Sequence, residues 1–120
     1  MVSANKERYI WEIYLSVKEE GYARVSNLAK ALEVSVPSAS KMVKKLNEEE
    51  LVDFQRYGMI TLTDRGMEVG ERLAVNHDIL ARFFRFIDVD EEAIETEVNK
   101  VEFYIGGEVI QKIGQFLRKA

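Results

Sequence analysis

The feature that most constrains the fold is the order of short elements in the first half of the chain. An apolar-patterned helix over residues 26–32 is followed by a short break and then by a second helix over residues 35–46 that opens on hydroxyl side chains. Two alternating runs, 51–55 and 59–62, flank the tripeptide 56–58, which is typical of a hairpin. This order predicts a winged helix-turn-helix, whose second helix is shaped to enter a DNA major groove.

Helical periodicity predicts further helices on both sides of this motif. The residues expected to cap helices are Ser3 for the first helix, Ser26 for the short second one, Ser35 for the third, and Thr63 for a long helix that runs to about Ile87. Asp90 is expected to cap the next helix, and a last helix follows Gly106-Gly107. The predicted fold class is mostly α, with three helices and a β-hairpin wing followed by a helical dimerisation domain.

The sequence also predicts how the chain is divided and assembled. Residues 1–72 form the winged helix-turn-helix domain and residues 73–120 the helical dimerisation domain, with the long helix shared between them. Two short helices cannot build an independent core, so they must pack on the long helix, on a second subunit or on both. A homodimer is the simplest of these arrangements and is expected. A dimer presents two recognition helices, which suit a palindromic operator on double-stranded DNA. The apolar residues expected to supply the dimer surface are Ile94, Val98, Val101, Ile105, Ile110 and Ile113.

Composition excludes several classes of function. The 120 residues include no cysteine, which excludes disulfides, thiolate metal sites and cysteine catalysis. No apolar run approaches the roughly 20 residues of a membrane span, and the N-terminus has no signal-peptide apolar region. No glycine-rich phosphate loop, nucleophile elbow or histidine pair is present. We therefore expect a cytoplasmic protein that is not an enzyme and has no membrane partner.

Positive charge is concentrated on the predicted recognition helix and wing, although the net charge is −4. Hydroxyl groups can donate to phosphates or base edges, and lysine and arginine side chains supply charge to the phosphate backbone. The residues predicted to contact DNA are Ser35, Pro37, Ser38, Ser40, Lys41, Lys44, Arg56 and Tyr57. In the alternative interpretation, the serines are helix caps and the lysines a solvated face. The chain would then be a winged-helix protein-interaction module that does not bind DNA, as its acidic net charge would suit.

The single histidine, His77, lies on the apolar stripe of the long helix. A lone histidine in such a place is usually a core residue whose ring nitrogens have hydrogen-bond partners. On the following helix Glu95, Asn99 and Glu102 share one face at steps of four and three. His77 and Glu102 could together supply half of a divalent metal site, but no sequence spacing forces them together.

Five segments make the chain similar to a known family along nearly its whole length. They are Gly21–Ser26, Lys41–Leu46, Leu62–Gly66, Gly70–Leu73 and Val89–Glu92. In these segments the chain resembles the diphtheria-toxin-repressor-like metalloregulators, most closely their manganese transport regulator branch. The resemblance implies a homodimeric repressor that binds operator DNA when manganese or a similar divalent ion is bound.

The family's metal-binding positions are mostly altered in this chain. They hold an Asp, a Glu, a His, a Glu, a Glu and a His in the family, and here they hold Arg8, Trp11, His77, Asn99, Glu102 and Phe103. Only His77 and Glu102 are kept, whereas Mn²⁺ favours about six oxygen or nitrogen ligands. No metal cofactor is therefore expected. The alternative is a true divalent-metal-dependent repressor in which Glu12 or Glu95 rebuilds the site.

Arg8 suggests how two domains could be linked without metal. In the family, the metal ties the first helix to the dimerisation helices, and Arg8 could make the same link by pairing with Glu102. The alternative is a surface pair between Arg8 and Glu12, four residues further along the first helix.

Overall fold

The computed structural model describes residues 2–120, and their regular structure is mostly helical, as predicted. The helices are α1 Ala4–Glu20, α2 Val25–Leu32, α3 Val36–Glu48, α4 Asp64–Phe86, α5 Glu91–Val101 and α6 Gly107–Lys119. Three strands, β1 Ala23–Arg24, β2 Val52–Phe54 and β3 Met59–Leu62, form one antiparallel sheet in the order β1-β3-β2. The predicted winged helix-turn-helix and the helices that follow it are confirmed.

Three of the predicted helix caps are present. The hydroxyl oxygen of Ser3 accepts a hydrogen bond from the Lys6 amide, and that of Ser35 accepts one from the Ser38 amide. Thr63 caps α4 in the same way, because its hydroxyl oxygen accepts from the Gly66 amide at 3.0 Å. Such caps satisfy amides that the first helical turn leaves without partners.

Other details differ from the sequence prediction. Ser26 does not cap α2; the helix begins at Val25, and Arg24 precedes it in an extended conformation without a capping side-chain bond. Arg24 is extended because its backbone pairs with Met59 in the sheet, so tertiary pairing sets the start of this helix. Asp90 precedes α5 as predicted, but its side chain makes no capping hydrogen bond.

The described chain forms two compact units, one ending at Glu71 and the other beginning at Arg72. In the first unit the inner face of α3 is fully buried, with Ala39, Val43 and Leu46 all at 0% exposure. Burying this face turns the opposite face of α3 outward to solvent. None of the helices in residues 2–120 has the length and apolarity that a membrane span requires.

The second unit has an apolar core of its own. Its buried members are Ile79, Leu80, Ala81, Ile94, Val98 and Ile110. Ile94, Val98 and Ile110 therefore lie inside the chain rather than on the dimer surface for which the sequence proposed them, and Val101, Ile105 and Ile113 are partly buried against the same core. Packing among the helices of a single chain therefore buries more of their apolar residues than sequence periodicity alone indicated.

Candidate nucleic-acid interface

The outer face of α3 carries most of the residues predicted to contact DNA. Pro37, Ser38, Lys41 and Lys44 are exposed, whereas Ser40 is half-buried. The turn that precedes α3 passes through Glu33 in the left-handed region, at φ 56°, and so redirects the chain between α2 and α3. The result is a helix-turn-helix whose second helix shows a cationic and hydroxyl-bearing face to solvent.

The first turn of α3 is held by its own serines. The Ser35 hydroxyl donates to the Ser38 hydroxyl oxygen at 2.8 Å and accepts from the Ser38 amide at 3.2 Å. Both side chains are exposed, so the arrangement caps the helix and still leaves hydroxyl groups at the surface. The capping role that sequence reasoning offered as an alternative to DNA contact is therefore present, and it is compatible with such contact.

The far end of α3 is fixed to its surroundings by three contacts. The Asn47 amide oxygen accepts from the backbone amide of Phe54, which ties α3 to β2. Lys6 of α1 pairs with Glu49 at 2.6 Å, and Arg65 donates to the Glu49 carbonyl oxygen at 2.9 Å. The Asn47 bond orients the recognition helix relative to the wing, and the other two contacts hold its end against α1 and the start of α4.

The wing is the hairpin between β2 and β3. Its tip is closed by bonds from the Gln55 amide to the Met59 carbonyl and from the Gly58 amide to the Gln55 carbonyl. Gly58 has a φ of 79°, a conformation that glycine adopts without the steric cost of a side chain. Arg56 and Tyr57 are exposed at this tip, Tyr57 to 83%. Both side chains thus lie outside the core and are available to a groove or a phosphate.

A separate cluster in the second unit joins α4 to α5 and the residue that follows it. The Nδ1 atom of His77 lies 2.6 Å from a carboxylate oxygen of Glu102, and its Nε2 atom lies 3.0 Å from Glu95. Glu102 is buried, with 6% of its surface exposed, whereas Glu95 is exposed. Because carboxylates contact both ring nitrogens, the geometry suits a doubly protonated imidazolium that donates to each of them.

This cluster makes His77 a stronger base than an ordinary histidine. The hydrogen bond that the ring donates to Glu102 is the largest cause and raises the pKa of His77, burial lowers it, and the bond to Glu95 raises it further, so that the pKa is about 9. Nuclear magnetic resonance should detect this directly, because the chain has one histidine and its ring signals are unambiguous. We expect a titration midpoint near 9, and a midpoint near 6.5 would contradict the cluster.

The same shift predicts how stability depends on pH. A pKa that is raised on folding stabilises the protein fully below about pH 6.5, and this contribution is lost as pH rises through about 9. Urea unfolding should therefore show a decrease in stability on the order of 1–3 kcal/mol between these pH values. The variant His77→Gln is the control, and its stability should be much less dependent on pH in this window.

The positions at which the sequence resemblance places metal ligands have different surroundings. Trp11 is buried and Arg8 half-buried in the first unit, while Asn99 is exposed and Phe103 half-buried in the second. Within residues 2–120, no three His, Asp or Glu side chains are grouped so that they could hold a metal ion. Glu95 and Glu102 do not converge on one point, since they contact opposite nitrogens of His77.

Comparison with known families matches both halves of the chain. Residues 1–60 match the model described as iron dependent repressor, N-terminal DNA binding domain. Residues 63–120 match the model described as iron dependent repressor, metal binding and dimerisation domain. The two matches together cover nearly all of the chain.

Solved structures show the same fold. A hypothetical protein of Sulfolobus solfataricus, SSo2273, has a TM-score of 0.73 and 21% identity over 99% of this chain and 92% of its own. IdeR of T. acidophilum has a TM-score of 0.81 and 22% identity over 98% of this chain and 55% of its own. The manganese regulator SloR has a TM-score of 0.77 and 26% identity over 100% of this chain and 56% of its own. The chain thus spans about half the length of the last two.

Proposed function

Because this chain belongs to the iron-dependent repressor family, we propose that it is a homodimeric DNA-binding repressor related to manganese-responsive regulators but not switched by metal. The observation that carries the proposal is the exposed face of α3, where Ser38, Lys41 and Lys44 lie opposite a fully buried apolar face. Members of the family regulate transcription, and the chain is not an enzyme. In this proposal the protein acts in the cytoplasm and binds a palindromic operator.

Each of the two domains proposed from the sequence has its own role in this function. Residues 1–72 contact DNA through α3 and the wing, and residues 73–120 make the dimer. In such a fold, the recognition helix contacts base edges in the major groove while cationic residues contact phosphates. Ser35, Ser38 and Lys41 lie near the N-terminal end of α3, the part of a recognition helix that usually reaches the bases.

The side chains at the family's metal positions do not fit a manganese ion. Such an ion favours about six oxygen or nitrogen ligands around one point, whereas His77 here has a carboxylate against each of its two nitrogens. To bind a metal, His77 would have to give up a proton and one carboxylate partner. This geometry supports a regulator whose DNA affinity does not depend on a divalent ion.

Metal independence has a direct test. We expect calorimetric titration with Mn²⁺ to show no high-affinity site, and gel shifts on genomic fragments to give equal DNA affinity in chelator and in Mn²⁺. A tenfold or greater gain in DNA affinity with Mn²⁺ would establish the alternative, a metal-dependent repressor with a rebuilt site. If the variant Glu95→Gln then abolished that gain, Glu95 would be the replacement ligand.

The same gel shifts address the other alternative, a winged-helix module that binds protein and not DNA. Such a module would shift no fragment in either condition. The net charge of −4 favours this alternative, and the clustered cations on α3 and the wing oppose it.

The link between Arg8 and Glu102 remains a prediction about the two domains. His77 already contacts one oxygen of the Glu102 carboxylate, so Arg8 would share that carboxylate with the imidazole. A double-mutant cycle with Arg8→Ala and Glu102→Ala measures the pair, since non-additive effects on stability indicate direct coupling and additive ones favour the Arg8–Glu12 pair.

The dimer is supported by apolar side chains that the single chain leaves at its surface. In the second unit these are Val75, Phe86, Ile87, Tyr104, Val109 and Phe116, each more than half exposed. Phe86 and Phe116 lie against each other edge to face, with ring centroids 5.9 Å apart. Exposed apolar surface of this kind usually marks an interface.

Light scattering at micromolar concentration should therefore give twice the 13.9 kDa mass of the chain. The double variant Phe86→Ser with Phe116→Ser should shift this mass toward the monomer, because both rings are 52–53% exposed in one chain. Leu15→Ser on α1, where the leucine is 41% exposed, is the control and should remain dimeric. A monomeric mass for the unaltered protein would contradict the dimer.

A further inference from the structure

The wing tip is held by a side chain from outside the hairpin. The Nη1 group of Arg24 donates to the backbone carbonyl oxygen of Tyr57 at 3.1 Å. Within the tip, the backbone bonds already described engage the amides of Gln55 and Gly58, and neither of them uses the Tyr57 carbonyl. Arg24 thus supplies a side-chain contact that joins the exposed tip of the wing to β1.

Arg24 is itself fixed at both ends. Its backbone pairs with Met59 across β1 and β3, which sets its position relative to the wing. Its guanidinium carbon lies 5.3 Å from the centroid of the half-buried Tyr22 ring, a cation–π contact that restrains the side chain. Because the side chain is already restrained, it loses little further conformational entropy when it bonds to the wing tip.

Arg24 also directly precedes α2, the first helix of the helix-turn-helix. The residue therefore connects that motif to the tip that carries Arg56 and Tyr57. Resting on the proposed DNA-binding function, we propose that Arg24 is a positioning residue, which fixes the wing tip so that Arg56 and Tyr57 meet DNA in one arrangement.

The first test observes the wing without DNA. Backbone ¹⁵N relaxation of the full chain should show that the amides of Tyr57 and Gly58 become more mobile in the variant Arg24→Gln. Arg118→Gln, which removes an exposed arginine from α6, is the matched control and should leave these amides unchanged. Equal mobility of the tip in Arg24→Gln and in the unaltered protein would overturn the inference.

The second test measures DNA affinity on a duplex that the unaltered protein selects from a random-sequence pool. Arg24→Gln should weaken binding about fivefold, the effect of one charged hydrogen bond at the surface. In a background of Arg56→Gln with Tyr57→Ala, the same change should have no further effect, because the tip that Arg24 positions no longer carries the side chains that meet DNA.

A direct phosphate contact by Arg24 would give a different result in that background. Arg24→Gln would still weaken binding there, and the slope of log K against log salt would flatten by about 0.9. That outcome would overturn the positioning role. Failure of the unaltered protein to bind any duplex would instead overturn the proposed function, whereas normal binding by Arg24→Gln would overturn this inference alone.

Discussion

The substitution Gly66→Ala is expected to destabilise the winged-helix unit by about 3 kcal/mol or more, the range for severe overpacking. A Cβ atom at this position would overlap the backbone carbonyl oxygen of Leu51 and lie 3.0 Å from a methyl carbon of Leu62. A backbone carbonyl cannot turn aside as the end of a flexible side chain can. The two segments would have to separate for the methyl group to fit.

The surroundings of Gly66 leave little room for that separation. The Leu51 carbonyl accepts from the Thr63 amide at 3.3 Å, and the Thr63 hydroxyl donates to the Glu50 carbonyl at 2.7 Å. The same hydroxyl oxygen accepts from the Gly66 amide, so moving α4 away breaks its N-terminal cap as well. The clash therefore affects the start of β2 and the start of α4 together.

Fluorescence of Trp11 measures this effect, because the only tryptophan of the chain lies buried in the first unit at 8% exposure. Its urea midpoint should fall markedly in Gly66→Ala. Gly107→Ala is the matched control, since a Cβ there meets nothing within 4 Å and replaces glycine in the first turn of α6. A Gly66→Ala midpoint equal to that of the control would contradict the predicted clash.

Much of the fold can be predicted because its signals are local. Ser3, Ser35 and Thr63 each precede an amphipathic run, and the cap depends on residues no more than three positions apart. The wing is equally predictable, since alternating runs on either side of a glycine at a turn indicate a hairpin. These elements need no knowledge of distant partners.

The features that sequence patterns miss or predict wrongly depend on contacts with distant residues. Strand β1 has two residues, too few for any periodicity, and exists because Ala23 and Arg24 pair with β3. Ser26 has the residue type of a cap, but that pairing places the start of α2 at Val25. The interface residues proposed from α5 and α6 satisfy a helical stripe, and only the packing against α4 shows that Ile94, Val98 and Ile110 are buried within one chain.

The candidate site, like the fold, can be predicted from the sequence only where its signals are local. The exposed face of α3 follows from its helical periodicity, since Ala39, Val43 and Leu46 mark the inner face. Sequence reasoning identifies Glu95 as a nearby acid but cannot assign it to His77, because that contact joins residues eighteen positions apart. No local signal indicates that Arg24 holds the wing tip, a contact between residues thirty-three positions apart.

Replacing Lys41, Lys44 and Arg56 together by alanine should weaken DNA binding about a hundredfold or more at moderate salt, because each of these exposed cations is predicted to contact a phosphate. Removing one phosphate contact should flatten the slope of log K against log salt by about 0.9, so the slope of the triple variant should be flatter by about 2.7. Affinity and slope must change together, since both reflect counterions released from the phosphates.

Net charge alone could also weaken binding, because the triple variant is three charges more negative than the unaltered protein at −4. The matched control is the change of Lys112, Arg118 and Lys119 to alanine, which alters the net charge equally at exposed positions of α6. Long-range repulsion would weaken both variants alike, whereas removing side chains that touch phosphates weakens only the first. Nearly equal affinities and slopes for the two triple variants would show that α3 and the wing do not form the DNA-binding surface.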